Sequence, residues 1–218
     1  MIKYFNLVIF FAVILTSQGI GQTGNGGSYL WNNTNVSYSL NDKTEFVLSN
    51  KDHYNLQTDR LDYFHFDLAG YRKLSDHFSL GLGLRLNETY KSEIWNPGGA
   101  YMFYGVYSGK PGNVKIRFAN RIAIRTFKVF ETQYTFDNIT NVDFFVRSAS
   151  KLPKPYIMDE IFSNIYSLKV QTIRLYGGLH LLKLKNMGID LYYCYHLTRP
   201  TLEWKEYNVF GISTKFRI

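Results

Sequence analysis

At 218 residues with a formal net charge of +8 at pH 7, the chain is long enough for one domain that encloses a core or closes a barrel. Aromatic residues make up 17%, which suits strands and membrane interfaces, and only 5 prolines leave room for long strands. The basic residues are spread singly, which argues against nucleic acid as a partner, and the lone Cys194 excludes both an intrachain disulfide and a cysteine metal cluster.

The chain opens with "MIKYFNLVIFFAVILTSQGIGQ": one charge at Lys3, an apolar core from about Leu7 to Leu15, then small residues at Gly19 and Gly21. This pattern predicts a secretory signal over residues 1–21, cleaved near Gly21 or Gln22. The apolar run is shorter than the roughly 20 residues a spanning helix needs. No cysteine follows it, which speaks against a lipoprotein anchor. No later stretch has the length and apolarity of a membrane helix, so residues 22–218 are expected as one exported domain, either soluble or a barrel.

Alternation at period two then recurs along the chain, and it predicts strands. The first two segments are residues 29–40 and 43–52. In 61–73, "DYFHFDLAGY" sets Phe64, Phe66 and Leu68 against His65, Asp67 and Ala69. In 77–90, "FSLGLGLRLN" sets Leu80, Leu82, Leu84 and Leu86 against Gly81, Gly83, Arg85 and Asn87. Segments 99–108 and 113–128 follow, the latter with Ile116, Phe118, Ile122 and Ile124 opposite Lys115, Arg117, Arg121 and Arg125. Segments 140–151, 155–166, 171–184, 187–198 and 207–218 complete the series. Short turn compositions lie at Asn41, Ser75, Lys110 and Asn186. Longer stretches at 52–60, 91–99, 129–139 and 199–206 are expected as loops at the other end, the layout of an outer-membrane barrel.

Segment length bears on the environment. Membrane strands need about 9–11 residues, and these segments are at least that long. The polar face is rich in Gly, Ser, Ala and Tyr with isolated Arg or His, which fits a crowded lumen better than a solvated surface. The fold class expected is therefore all-β, a transmembrane antiparallel up-and-down barrel of about 10–12 strands. A soluble sandwich or lipocalin-like barrel, with the faces reversed, is the competing fold. Eleven segments are counted. Single-chain bacterial barrels have even numbers, so parity points to ten or twelve. The chain ends on an alternating strand with Phe216 and Ile218, similar to the terminal signal read by the barrel assembly machinery, although strict versions end on an aromatic residue.

The stretches "YLWNNTNVSYSLNDKTEF", "KIRFANRIAIRTF", "KPYIMDEIFSN" and "RLYGGLHLL" together resemble the barrel family catalogued as domain of unknown function 2490. The shared features are a Trp on the first strand, an Arg-rich middle and an Asp-Glu pair before an aromatic. The resemblance implies an outer-membrane barrel and supplies no activity.

Arg117, Arg121 and Arg125 lie four apart, about 13 Å per step on a strand. With Arg85, Arg174, Lys215 and Arg217 they are candidates for an anion-attracting lumen. Asp67, Glu88, Asp159, Glu160 and Asp190 are candidate counter-charges that would neutralise them and fill the lumen, and internal pairing is the preferred outcome. His180, His196 and Ser163 are the weaker catalytic candidates, without a nucleophile motif. A metal site from His180, His196 and Asp190 has no diagnostic spacing, and no metal or cofactor is expected. Trp95, Tyr101, Tyr107, Tyr134, Trp204 and Tyr207 could form interfacial girdles.

The function expected is a non-enzymatic envelope protein of the bacterial outer membrane. Its partners would be the lipid bilayer, the barrel assembly machinery and possible small anionic solutes. A narrow anion-preferring pore comes second and a barrel-embedded lipid hydrolase or acyltransferase third.

Overall fold

A computed structural model describes residues 26–128, 131–144, 153–199 and 203–218. The expected signal segment and residues 145–151 of the seventh segment lie outside the described residues. Among those described, the regular structure is all strand. The strands are β1 (Ser28–Asn41), β2 (Thr44–Asn55), β3 (Arg60–Lys73), β4 (Phe78–Lys91), β5 (Ile94–Gly109) and β6 (Val114–Phe127). They continue with β7 (Gln133–Phe144), β8 (Lys154–Asn164), β9 (Val170–Lys183), β10 (Met187–Thr198) and β11 (Lys205–Arg217). Each pairs with its chain neighbours, and β1 pairs with β11, so the sheet closes into a barrel with no free edge.

The barrel closes with eleven strands, not the even number argued from parity. Parity holds when the closing pair is antiparallel. Here β1 and β11 run parallel, from Ser28 opposite Asn208 to Ser37 opposite Arg217, and every other neighbouring pair is antiparallel. The seam carries backbone bonds from Asn208 N to Gly27 O (3.1 Å) and from Ile218 N to Ser37 O (2.9 Å). Both strands run from the end bearing the expected loops to the end bearing the short turns.

Two further expectations are corrected. β7 begins at Gln133, inside the stretch expected as a loop, because Gln133, Thr135 and Asp137 are not loop polarity but one face of a strand. The stretch 91–99 is mostly strand as well. Only Ser92 and Glu93 connect β4 to β5, both at positive φ (53° and 65°), a tight two-residue turn rather than a long loop.

The faces divide as the alternation predicts. Leu80, Leu82, Leu84 and Leu86 are between 50% and 73% exposed, while Gly81, Gly83 and Asn87 between them are buried. Phe66, Leu68, Tyr101, Phe103, Phe118 and Ile122 continue the exposed apolar face around the wall. The inner face holds large rings over glycines. A Cβ on Gly81 would meet the Tyr71 ring, and one on Gly211 would overlap the Tyr192 ring. These glycines let rings lie flat across the lumen wall.

Candidate functional site

The lumen is built from inward side chains of every second residue, and its polar atoms are cross-braced between adjacent strands. On the β3–β7 wall, Arg85 on β4 forks onto Asp67 on β3, with Nε–Oδ1 at 2.7 Å and Nη2–Oδ2 at 2.6 Å. Arg121 on β6 reaches Asp137 Oδ2 on β7 at 2.7 Å, and Arg125 reaches the same oxygen at 3.1 Å. Asp137 is fully buried. Around these pairs lies an apolar cluster of Ala69, Ala100, Met102, Tyr104, Val106, Ala119 and Ala123. Small residues on three strands leave room for Met102 and Tyr104 to cross between them.

On the opposite wall, Arg174 on β9 pairs with Glu160 on β8 at 3.0 Å, and Tyr176 donates its hydroxyl to the same carboxylate oxygen at 2.9 Å. Nearer the short turns, Lys215 Nζ lies 2.6 Å from Asp190 Oδ2, and His180 lies 2.7 Å from Asp190 and 3.3 Å from Asp143. Trp31 is buried among Tyr156, Tyr176, Tyr192, Cys194 and Val209. Its indole stacks on His53 (centroids 4.1 Å, 10° between planes) and meets His196 edge-on at 5.5 Å. Lys51 Nζ lies over the same indole at 4.0 Å, and Arg174 lies 4.9 Å from it.

Between the walls is a cavity of about 860 Å³. Its cationic lining falls into two sets. Arg85, Arg121, Arg125, Arg174 and Lys215 each have a carboxylate within 4.0 Å. Lys51, Lys115 and Arg117 form no ion pair among the described residues.

The candidates named from sequence are thus sorted by geometry. Arg85, Arg117, Arg121, Arg125, Arg174 and Lys215 line the lumen, with Asp67, Glu160 and Asp190 as partners. Arg217 is exposed at the short-turn rim. Glu88 and Asp159 are corrections to the expected lumen set. Glu88 follows outward Leu86 by two residues and opposes outward Phe64. Asp159 lies between outward Ile157 and Ile161, where its Oδ1 accepts from Thr140 N at 3.2 Å.

The three catalytic candidates do not converge. Ser163 shares the outward parity of Asp159. His196 lies against Trp31, while His180 is held in the Asp143–Asp190 cluster six residues down the neighbouring register, about 20 Å away along a strand. No group of three or more His, Cys, Asp or Glu among the described residues is arranged to hold a metal ion.

Of the expected girdle, Trp95 packs against Phe64 and Tyr90 near the β4–β5 turn, and Tyr107 against Phe78 and Phe118 at the opposite end. Tyr101 is 56% exposed on the outer face and Tyr134 packs on Tyr166. Trp204 is 37% exposed. Tyr207 instead faces the lumen, edge-on to Tyr29.

Sequence reasoning missed Trp31, Lys51, His53, Asp137 and Asp143 as lumen residues. Asp137 carried a signal, since Thr135 and Asp137 alternate with Phe136. Lys51 carried none, because its neighbours Asn50 and Asp52 are polar too.

The family model described as "Protein of unknown function (DUF2490)" matches residues 29–206, nearly the whole described barrel. No curated protein matches the chain.

Proposed function

We propose that this chain, which belongs to that family of unknown function, spans the bacterial outer membrane as a non-enzymatic envelope barrel with a polar lumen, ion-paired along its walls and open at its centre. The observation that carries this is the division of faces. A belt of exposed Leu, Phe and Ile surrounds a wall whose inner side holds the buried Arg–Asp and Arg–Glu pairs. Water outside would leave that belt with nothing to cover it. Lipid outside satisfies it, and the closed hydrogen-bond ladder leaves no strand edge to the hydrocarbon. Strands of 11 to 16 residues are long enough to cross it.

The test is fractionation followed by electrophoresis of unheated and boiled samples. Recovery in the outer-membrane fraction with a heat-dependent mobility shift is the expected result. Recovery in the soluble periplasmic fraction without a shift overturns the proposal. Leu82→Arg sharpens it: an Arg facing lipid near the belt's middle costs about 2–4 kcal/mol, so insertion into vesicles falls, whereas on a solvated face the change is close to neutral.

A second role, a narrow anion-preferring pore, is favoured by the unpaired Lys51, Lys115 and Arg117 along the cavity. Anion-selective conductance in planar bilayers that falls in Arg117→Glu would support it. The hydrolase alternative is left aside because Ser163 faces away from both histidines.

A further inference from the structure

The charge around Trp31 does not balance. Lys51 and Arg174 both lie over its ring, at 4.0 and 4.9 Å. One carboxylate, Glu160, serves the pair, and it is already engaged by Arg174 and the Tyr176 hydroxyl. A cation–π contact holds an ammonium without neutralising it. Buried or half-buried charges in proteins are otherwise paired, as Arg85, Arg121, Arg125, Arg174 and Lys215 are, whereas Lys51 shares its lack of an ion-pair partner among the described residues with Lys115 and Arg117. Lys51 therefore presents to the cavity an amino group with no carboxylate within ion-pair distance among the described residues.

The size and lining of the space say what would compensate it. A volume of about 860 Å³ lies in the range of small-molecule sites and far exceeds an inorganic ion. Lys51 stands in register between Asn33 and His65, and the cavity lining also holds the rings of Tyr63 and Phe162. An apolar or ring-bearing body is what such a wall accommodates, with a few placed polar groups fixing its orientation.

We infer that the lumen holds a binding site for a small organic monoanion, a carboxylate on a ring-sized body, with Lys51 as the group that receives the carboxylate and Arg174 as the second positive charge beside it. Trp31 is the floor that keeps the two cations in place. The inference rests on the lumen reading above and names the ligand class of that lumen. A carboxylate ligand of this kind could be an aromatic acid or a sugar acid. The shared chemistry is the carboxylate, and the two are separated in the test.

The experiment uses the full mature barrel, folded in detergent, with Trp95→Phe and Trp204→Phe so that Trp31 is the one remaining tryptophan. Its fluorescence is followed during titration with benzoate, glucuronate, benzamide and chloride. The heat-dependent mobility shift of the same sample is recorded first, so that failure of the barrel reading is seen separately from failure of the site. A saturable change with benzoate or glucuronate, and none with the neutral benzamide, is expected. Whichever acid saturates at lower concentration names the source. Lys51→Met should weaken it about tenfold or more, and Lys51→Arg should recover part of the loss. If Lys51→Met does not give the mobility shift, the benzoate–benzamide contrast on the unaltered lumen decides alone. Equal response to benzamide, no saturation with either carboxylate, saturation with chloride alone, or unchanged affinity in a folded Lys51→Met each overturn the inference.

Discussion

The two halves of the lumen solve the same problem differently. On the β3–β7 side, Arg85, Arg121 and Arg125 each have a carboxylate on the adjacent strand, and alanines with Met102 and Tyr104 fill the space around the pairs. On the β8–β2 side, rings replace the alanines, cations outnumber carboxylates around Trp31, and space remains. Residue size decides where the cavity lies. Small inward residues let the strands' longer side chains meet across the β3–β7 wall. Inward tyrosines lying flat over Gly178 and Gly211 keep the other wall smooth and leave the centre open. Charge does not simply follow packing: Arg121 and Arg125 share Asp137, and Lys115 and Arg117 on the same wall form no ion pair among the described residues.

The sharpest way to break this contrast is at Asp137. Asp137→Ala leaves Arg121 and Arg125 buried with no carboxylate between them, and breaking a buried pair from one side costs about 3–5 kcal/mol. The temperature of the mobility shift should drop steeply, or the folded band should vanish. Glu160→Ala makes the matching change in the open half. It removes one charged pair and one hydroxyl bond, and a single hydrogen bond to a charged group is worth about 1.5–3 kcal/mol. Water in the cavity can reach Arg174, whose side chain is 20% exposed against 8% for Arg121. Its shift temperature should therefore fall less than that of Asp137→Ala. Equal losses would mean that the two halves are equally dry.

Much of this architecture was legible because period two is unambiguous over long segments. In β4 from Phe78 to Leu86 every second residue is Phe or Leu, and in β6 Ile116, Phe118, Ile122 and Ile124 keep one phase, so both the strands and their faces follow directly. The errors came where residue type was allowed to override parity. Glu88 and Asp159 were expected inside because they are charged, yet Glu88 keeps the phase of Leu86 and Asp159 that of Ile157. Ser163 failed for the same reason. β7 was hidden because its inward Thr135 and Asp137 look like loop residues until Phe136 is placed outside. Lys51 needed the register, which sets His53 opposite Trp31 and cannot be read from one strand. The count of eleven segments matches the eleven strands, and the parity rule overrode it because nothing local distinguishes a parallel closing pair.

A smaller effect tests the ring-over-glycine arrangement that keeps the open half smooth. Gly211→Val puts a branched side chain where the Tyr192 ring lies. Overpacking of this kind costs about 1–3 kcal/mol. Tyr192 would be pushed toward the cavity, and its hydroxyl would lose the bond it accepts from Asn33 Nδ2 at 2.7 Å. The double variant with Tyr192→Ala should recover most of the loss, because the clash is then gone. A double variant as unstable as the single one would place the strain in the backbone of β11 instead of in the ring.

The smallest effect fixes the baseline against which the others are read. Arg60 pairs with Asp62 at 2.9 Å and lies 4.2 Å from the Tyr90 ring, at the rim outside both halves. Its side chain is 44% exposed, so water screens the pair, and such an exposed ion pair contributes little to stability. Arg60→Ala should move the shift temperature little, and added salt should shrink even that change. The lumen pairs should respond to salt far less, because the wall keeps ions from them. If Arg60→Ala costs as much as Glu160→Ala, the mobility shift is reporting the rim and the comparison of halves must be made by another measurement, such as hydrogen exchange of β6 and β9. If it costs little, the difference between Asp137→Ala and Glu160→Ala is a property of the lumen itself.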